Sequence, residues 1–232
     1  MTTDGKVTAQ DGKLHSWRIE EREYLRHEAR RGRRHAFESL EPERTALVVI
    51  DMVPFFVAEN EYCRGIVRNI NRAAWVLRSA GGTVAWVLPG PTERTPVEDE
   101  FLGAEIAELY RRSGGFGPLQ DRLWPELEVG PEDLLVEKTA KSAFFPGRCA
   151  LPGLLEARGV DTVLIAGTVT NVCCESSARD ASTLGYRVIM LADANAARRD
   201  EDHNASLYTI YRTFGDVRPV DDVIELLRSA KP

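Results

Sequence analysis

The sequence predicts an α/β protein of three layers, with a mainly parallel sheet of six strands covered by helices on both faces. Three observations carry that expectation. From residue 46 onward, short apolar runs rich in β-branched residues alternate with longer amphipathic stretches, the pattern of repeated strand–helix–strand units. The runs are apolar throughout instead of alternating, as befits strands buried on both faces. No internal repeat or low-complexity tract interrupts them.

The elements follow in order. Ala46 to Asp51 (ALVVID) reads as the first strand. Ile66, Ile70, Ala73, Ala74 and Leu77 recur at helical spacing, and Gly81-Gly82 suit that helix's C-terminus. Thr83 to Leu88 is a second strand, stopped by Pro89-Gly90-Pro91. Residues 92 to 130 hold one helical piece, Phe101 to Arg112, among Gly- and Pro-rich loops suited to shaping a substrate site. Leu134 to Glu137, Thr162 to Ala166, Arg187 to Leu191 and Asp216 to Val217 complete the strands. Helices are expected at Leu151 to Arg158, Val172 to Leu184, Asp202 to Arg212 and Asp221 to Leu227. The architecture is Rossmann-like, with residues 44–232 as one domain.

Residues 1–43 differ. They are dense in Arg and Glu and poor in aliphatics, and read as an arm wrapping the domain or a partner subunit. Their basic run, Arg30-Arg31-Gly32-Arg33-Arg34-His35, is diluted by Glu20, Glu21, Glu23 and Glu28, which disfavours a polyanion site. A net charge of -6 over 232 residues argues against nucleic-acid binding. No apolar run approaches the roughly 18 residues that cross a membrane. The polar N-terminus shows no secretory signal. Four cysteines in a chain this long do not form a disulfide framework, so free thiols in a reducing cytoplasm are expected.

Ligands of open parallel sheets bind beyond the carboxyl ends of the strands. That rule selects Asp51, Lys138 and the turn Gly167 to Cys173. A carboxylate, an amine and a thiol at one edge suggest nucleophilic catalysis. Cys173, expected in the first turn of a helix, would have its pKa lowered by the helix N-terminus and a neighbouring ammonium. A carboxylate can take the thiol proton and return it to a leaving amine. Backbone N–H groups of the turn can hold an oxyanion.

The segments ALVVIDM, EKTAKSAFFPG and AGTVTNVCCESSARDA, in that order, resemble the signature blocks of the isochorismatase-like superfamily over about residues 44 to 227. The resemblance to the amidase branches, which include N-carbamoylsarcosine amidase and ureidoacrylate-type amidohydrolases, implies a catalytic triad of Asp51, Lys138 and Cys173. The family's lysine stands four residues before Ser-Ala-Phe, which selects Lys138 over Lys141. Cys174 falls where the family usually has an aliphatic residue and reads as packing. The resemblance further implies an oxyanion hole from the N–H groups of Val169 and Cys173, a cis peptide between Thr168 and Val169, and assembly as a homodimer or larger homo-oligomer.

The departures narrow the expectation. Val53-Pro54-Phe55-Phe56 replaces a more polar family segment, so Phe55 and Phe56, with Phe144, are candidates for an apolar pocket. No histidine stands between residues 36 and 202. His15, His27, His35 and His203 lack metal-ligand spacing, so no metal and no cofactor is expected. A thiol nucleophile is not needed to hydrolyse a vinyl ether, which argues against an isochorismatase-type ether hydrolase. The expected activity is hydrolysis of an amide, lactam or N-carbamoyl C–N bond of a small molecule through a thioester. A substrate carboxylate would call on Arg94, Arg111, Arg112 or Arg198. A rival, lactam hydrolysis of a cationic natural product as in streptothricin hydrolases, would call on Glu93, Glu98 or Asp99. A redox or non-catalytic thiol protein on the same fold is the third alternative.

Overall fold

The computed structural model describes residues 12–229. Six strands, β1 (Thr45–Ile50), β2 (Thr83–Pro89), β3 (Leu134–Lys138), β4 (Thr162–Thr168), β5 (Arg187–Ala196) and β6 (Asp216–Arg218), form one sheet in the order β3-β2-β1-β4-β5-β6. Every pairing is parallel. Parallel neighbours need crossover connections, and helices supply them, beginning after β1 with the short α2 (Pro54–Val57) and α3 (Glu61–Gly65). The sequence thus yields the expected three layers.

Strand alternation builds two cores. Leu47 and Val49 of β1 face one side, against Ile70 and Leu77 of α4 (Val67–Ser79) and Val223, Ile224 and Leu227 of α10 (Val220–Ser229). Ala46, Val48 and Ile50 face the other, against Leu155 of α7 (Leu151–Ala157), Ala178 of α8 (Glu175–Thr183) and Leu207 and Ile210 of α9 (Asp200–Thr213). Burying each large aliphatic side chain stabilises the fold by about 1.5–3 kcal/mol relative to exposure. Trp86 is fully buried in β2, and its indole N–H donates to Asp133 Oδ2 at 2.8 Å.

Three local differences from the sequence expectation have physical causes. The helix expected at 101–112 is two helices, α5 (Pro96–Leu102) and α6 (Ala104–Arg111), broken at Gly103, where φ is 81°. Strand β5 runs to Ala196, beyond Leu191, through Ala, Asp and Asn residues that propensity disfavours. Pairing with β4 continues there after a register shift between Ile165 and Gly167. The helix expected from Val172 begins at Glu175, after a wide π-type turn, Thr170–Cys174.

Residues 12–43 lie against the domain; residues 1–11 of the expected arm fall outside the described residues. Helix α1 (Glu21–Arg31) ends on Gly32, whose φ of 76° suits a glycine cap. The Asp216 carboxylate accepts from the Ala36 and Phe37 N–H groups at 2.8 and 2.9 Å. The basic run is largely satisfied internally. Arg34 pairs with Glu21 and Glu28 and sits over the Tyr24 ring, and Arg31 donates to the carbonyls of Arg33 and Arg34.

Candidate active site

The strand order reverses between β1 and β4, so the crevice between their carboxyl ends is the switch point of the sheet. Asp51 follows β1 with φ of 55°, a left-handed conformation that Asp tolerates better than most residues. Its N–H still bonds to Val87 O at 2.8 Å. Near the end of β4, Gly167 has φ of 112°, and a Cβ there would stand 2.1 Å from the Ile50 carbonyl oxygen. Glycine therefore lets the end of β4 lie hard against the end of β1. The Thr168–Val169 peptide bond is cis. Thr168 Oγ1 donates to Ala196 O at 3.2 Å and accepts from the Cys63 thiol at 3.2 Å. In the π-type turn, the Val172 and Cys174 N–H groups both donate to Val169 O.

Lys138 ends β3, two positions from β1 in the sheet. At about 4.8 Å per strand, only a long side chain covers that distance, which accounts for lysine here. The ammonium donates to Asp51 Oδ2 at 2.9 Å, to Ala140 O at 3.2 Å and to Cys173 Sγ at 3.7 Å. Its three protons thus have three acceptors. Asp51, Lys138 and Cys173 are all buried. Asp51 Oδ1 has no hydrogen-bond partner among the described residues, while the Cys173 thiol lies near enough to act on the carboxyl.

The electrostatics correct one sequence expectation. Burial, followed by the Asp51 charge, pushes the Cys173 thiol up to about 12, and the Lys138 charge only partly opposes this. Cys173 precedes the α-helix instead of lying in its first turn, so helix-terminal stabilisation is weaker than the sequence suggests. Burial also raises the Asp51 pKa against the pull of Lys138, making Asp51 a stronger base than an exposed carboxylate. Burial disfavours the Lys138 ammonium, but Asp51 and Cys173 more than offset it, and its pKa is raised. Cys174 is fully buried in the second core, with its thiol pKa well above normal because of burial.

A cavity of about 300 Å³ opens over the three residues. Phe56 lines it, and Phe55 packs edge-on behind Phe56 and against Tyr110. Phe144 is not in the pocket. It is fully buried against Tyr186 in the core, and its neighbour Phe145 lines the cavity instead. The segment Ser142–Phe145 is an irregular run of bends in which Phe144 turns inward and Phe145 outward, and the residue types alone do not say which way each faces.

Of the candidate arginines, Arg111 reaches the cavity but is bound by Asp99 at 3.4 Å and Glu108 at 2.9 Å. Arg94 binds Asp99, and Arg112 binds Glu108. Arg94, Arg112 and Arg198 do not line the cavity, nor do Glu93 and Asp99, whereas Glu98 does. Sequence reasoning missed Arg148, which lines the cavity and donates to Thr139 Oγ1 and O at 2.8 and 2.6 Å. It directly follows the signature block that holds Lys138, and an antiparallel bridge between Lys138 and Cys149 brings it back. Among the described residues, no three His, Cys, Asp or Glu are grouped to hold a metal.

A doubly wound sheet with a carboxylate, an ammonium and a thiol at its switch point defines a class of hydrolase-like α/β proteins. Residues 45–222 match the Isochorismatase domain family, and the chain belongs to that family. It is 30% identical over 221 residues to the ureidoacrylate amidohydrolase RutB of Rhizobium rhizogenes, covering 84% of this chain and 87% of that protein. The fold matches a cysteine hydrolase from Pseudomonas syringae pv. phaseolicola with a TM-score of 0.67 and 27% identity, covering 96% of this chain and 100% of that one. It also matches N-carbamoylsarcosine amidase from Thermoplasma acidophilum, with a TM-score of 0.62 and 27% identity, over 77% of this chain and 97% of that one.

Proposed function

We propose that this protein is a cysteine-dependent amidohydrolase that cleaves the C–N bond of an amide or N-carbamoyl group in a small anionic molecule. The carrying observation is that one buried ammonium, Lys138, touches both the Asp51 carboxylate and the Cys173 sulfur. Asp51 removes the thiol proton as sulfur attacks the carbonyl carbon. The N–H groups of Val169 and Cys173 receive the oxyanion. The C–N bond then breaks, Asp51 protonates the departing nitrogen, and a thioester remains. Water, deprotonated by Asp51, attacks the thioester, and the thiol regains its proton. The Lys138 charge stabilises both the thiolate and the carboxylate through the cycle.

The pocket's charge supports an anionic substrate. Lys141 and Arg148 line it without a carboxylate partner among the described residues. Lys141 also lies close enough to favour the charged forms of Asp51 and Cys173. A cationic lactam substrate would meet these two positive charges at the entrance. The names of the relatives, a ureidoacrylate amidohydrolase and an N-carbamoylsarcosine amidase, point to the same acidic ureido class.

Two wider statements belong to this reading. The four cysteines are all free, which supports a cytoplasmic, reducing setting, and no described helix is long and apolar enough to cross a membrane. Assembly as a homo-oligomer, which the family resemblance implies, is measured by light scattering of the purified protein.

The function is tested by ammonia release from a panel of N-carbamoyl acids and primary amides, with Cys173→Ala alongside. Wild type should release ammonia from at least one anionic member and the variant from none. Equal release by both would refute the cysteine mechanism.

A further inference from the structure

The N-terminal segment places a histidine in a buried cluster that reaches the nucleophile turn. His15 is stacked between Tyr62, 3.7 Å away, and His203, 4.3 Å away. The Ala197 N–H donates to His15 Nε2 at 3.0 Å. Nε2 therefore carries the lone pair, and the ring proton sits on Nδ1, which donates to Asp200 Oδ1 at 2.7 Å. Beside it, the Asn204 amide reads the arm's backbone, accepting from Arg18 N–H at 2.7 Å and donating to Ser16 O at 3.0 Å. Residues 15–18 thus clamp the first turns of α9.

That helix in turn holds the catalytic turn. His203 Nδ1 shares a hydrogen bond with Thr170 Oγ1 at 3.0 Å, and Ser206 Oγ donates to Thr170 O at 3.2 Å. His203, Thr170 and Ser206 are buried, and none of them lines the pocket. Thr170 lies directly after Val169 in the turn that ends at Cys173 and Cys174. We infer that His203 and Thr170 are positioning residues for the nucleophile turn, and that His15 of the N-terminal arm acts through them. The arm is then part of the catalytic apparatus in the same chain, holding the Val169 and Cys173 N–H groups at the angle an oxyanion requires.

The inference rests on the cysteine mechanism proposed above. Its test is a double-mutant cycle on the full-length protein, measuring kcat, KM and thermal midpoint for Thr170→Val, His203→Leu and the pair. Each single change should lower kcat about tenfold or more, since small misplacements of reacting groups are costly. KM should stay within about twofold. The double variant should lose no more than the worse single, because both remove one shared bond. His203→Asn, whose amide can occupy the Nδ1 position, should recover most of kcat, and His15→Leu should lower kcat in the same direction. Thr170→Val is nearly isosteric and keeps the test alive if His203→Leu does not fold. Wild-type kcat in Thr170→Val, or independent losses in the double variant, would overturn the inference. Retained turnover in Cys173→Ala would instead refute the cysteine mechanism, so the two failures are distinguishable.

Discussion

The floor and the rim of the cavity are built by opposite rules. On the floor, Asp51, Lys138 and Cys173 are at most 7% exposed, and each stands at or just past the end of a strand. The ammonium has no free proton, and the close approach of β4 to β1 admits no Cβ at Gly167. At the rim, Lys141, Phe145 and Arg148 are exposed and sit on an irregular strap, while α5 and α6 carry apolar side chains into solvent. On the proposed mechanism, a rigid floor fixes which bond is attacked and a solvated rim decides which molecule arrives, so the chemistry would be the constrained part and the specificity the adjustable part.

The sharpest way to break that comparison is on the floor. Cys173→Ala should reduce turnover to background, and Asp51→Asn should reduce kcat by about 10² to 10⁴, the usual contribution of a positioned acid–base group. Asp51→Asn should also cost about 3–5 kcal/mol of stability, because it leaves the buried Lys138 ammonium uncompensated. Denaturant melts check this. The double variant Asp51→Asn/Lys138→Met should be more stable than Asp51→Asn alone, since the unpaired charge goes with the lysine. If the single variant is as stable as wild type, the floor is not the tightly coupled pair described here.

Gly167→Ala probes the backbone of the same floor. A methyl group there meets the Ile50 carbonyl at 2.1 Å in a conformation unfavourable to any side chain. A loss of more than about 2 kcal/mol is expected, read by urea unfolding. A neutral result would show that the two strand ends can separate.

The pH profile sharpens the contrast further. In the proposed mechanism Asp51 must be ionised to accept the thiol proton, and burial raises its pKa. Activity should therefore fall as pH drops through that raised value, with the acid limb of kcat/KM above the ordinary carboxylate pKa of about 4. An acid limb at or below that value would remove Asp51 as the base. No thiol limb is expected near neutrality, because burial pushes the Cys173 thiol up to about 12.

Rim changes should be gentler. Arg148→Ala and Lys141→Ala should each raise KM for an anionic substrate about tenfold, worth roughly 1.4 kcal/mol, and leave kcat within about twofold. Steady-state kinetics separate the two parameters. A fall in kcat without a rise in KM would move these cations from substrate recognition to the chemistry.

The same division explains what the sequence disclosed. The floor was legible because apolar runs announce buried parallel strands, and the residues after them fall at the strand ends where such sheets bind ligands. Asp51, Lys138 and the Gly167–Cys173 turn needed no long-range information. The pKa direction of Cys173 was not legible, because it depends on burial and on where the helix starts, and the π-type turn moves that start to Glu175. Nor could Phe144 be told from Phe145, since one turns into the core and the other toward the cavity. His15 was illegible for a different reason. Its partners Tyr62, Asp200 and His203 lie far away along the chain, and a lone histidine in a charged arm carries no signal of its own.

The most direct measurement is rapid-quench mass spectrometry of the intact protein with a slowly turned-over N-carbamoyl acid or amide. A covalent adduct with the mass of the acyl group should accumulate, map by peptide digestion to Cys173, and be absent from Cys173→Ala. Full turnover with no adduct in wild type, together with activity retained in the alanine variant, would contradict the thioester mechanism at its root.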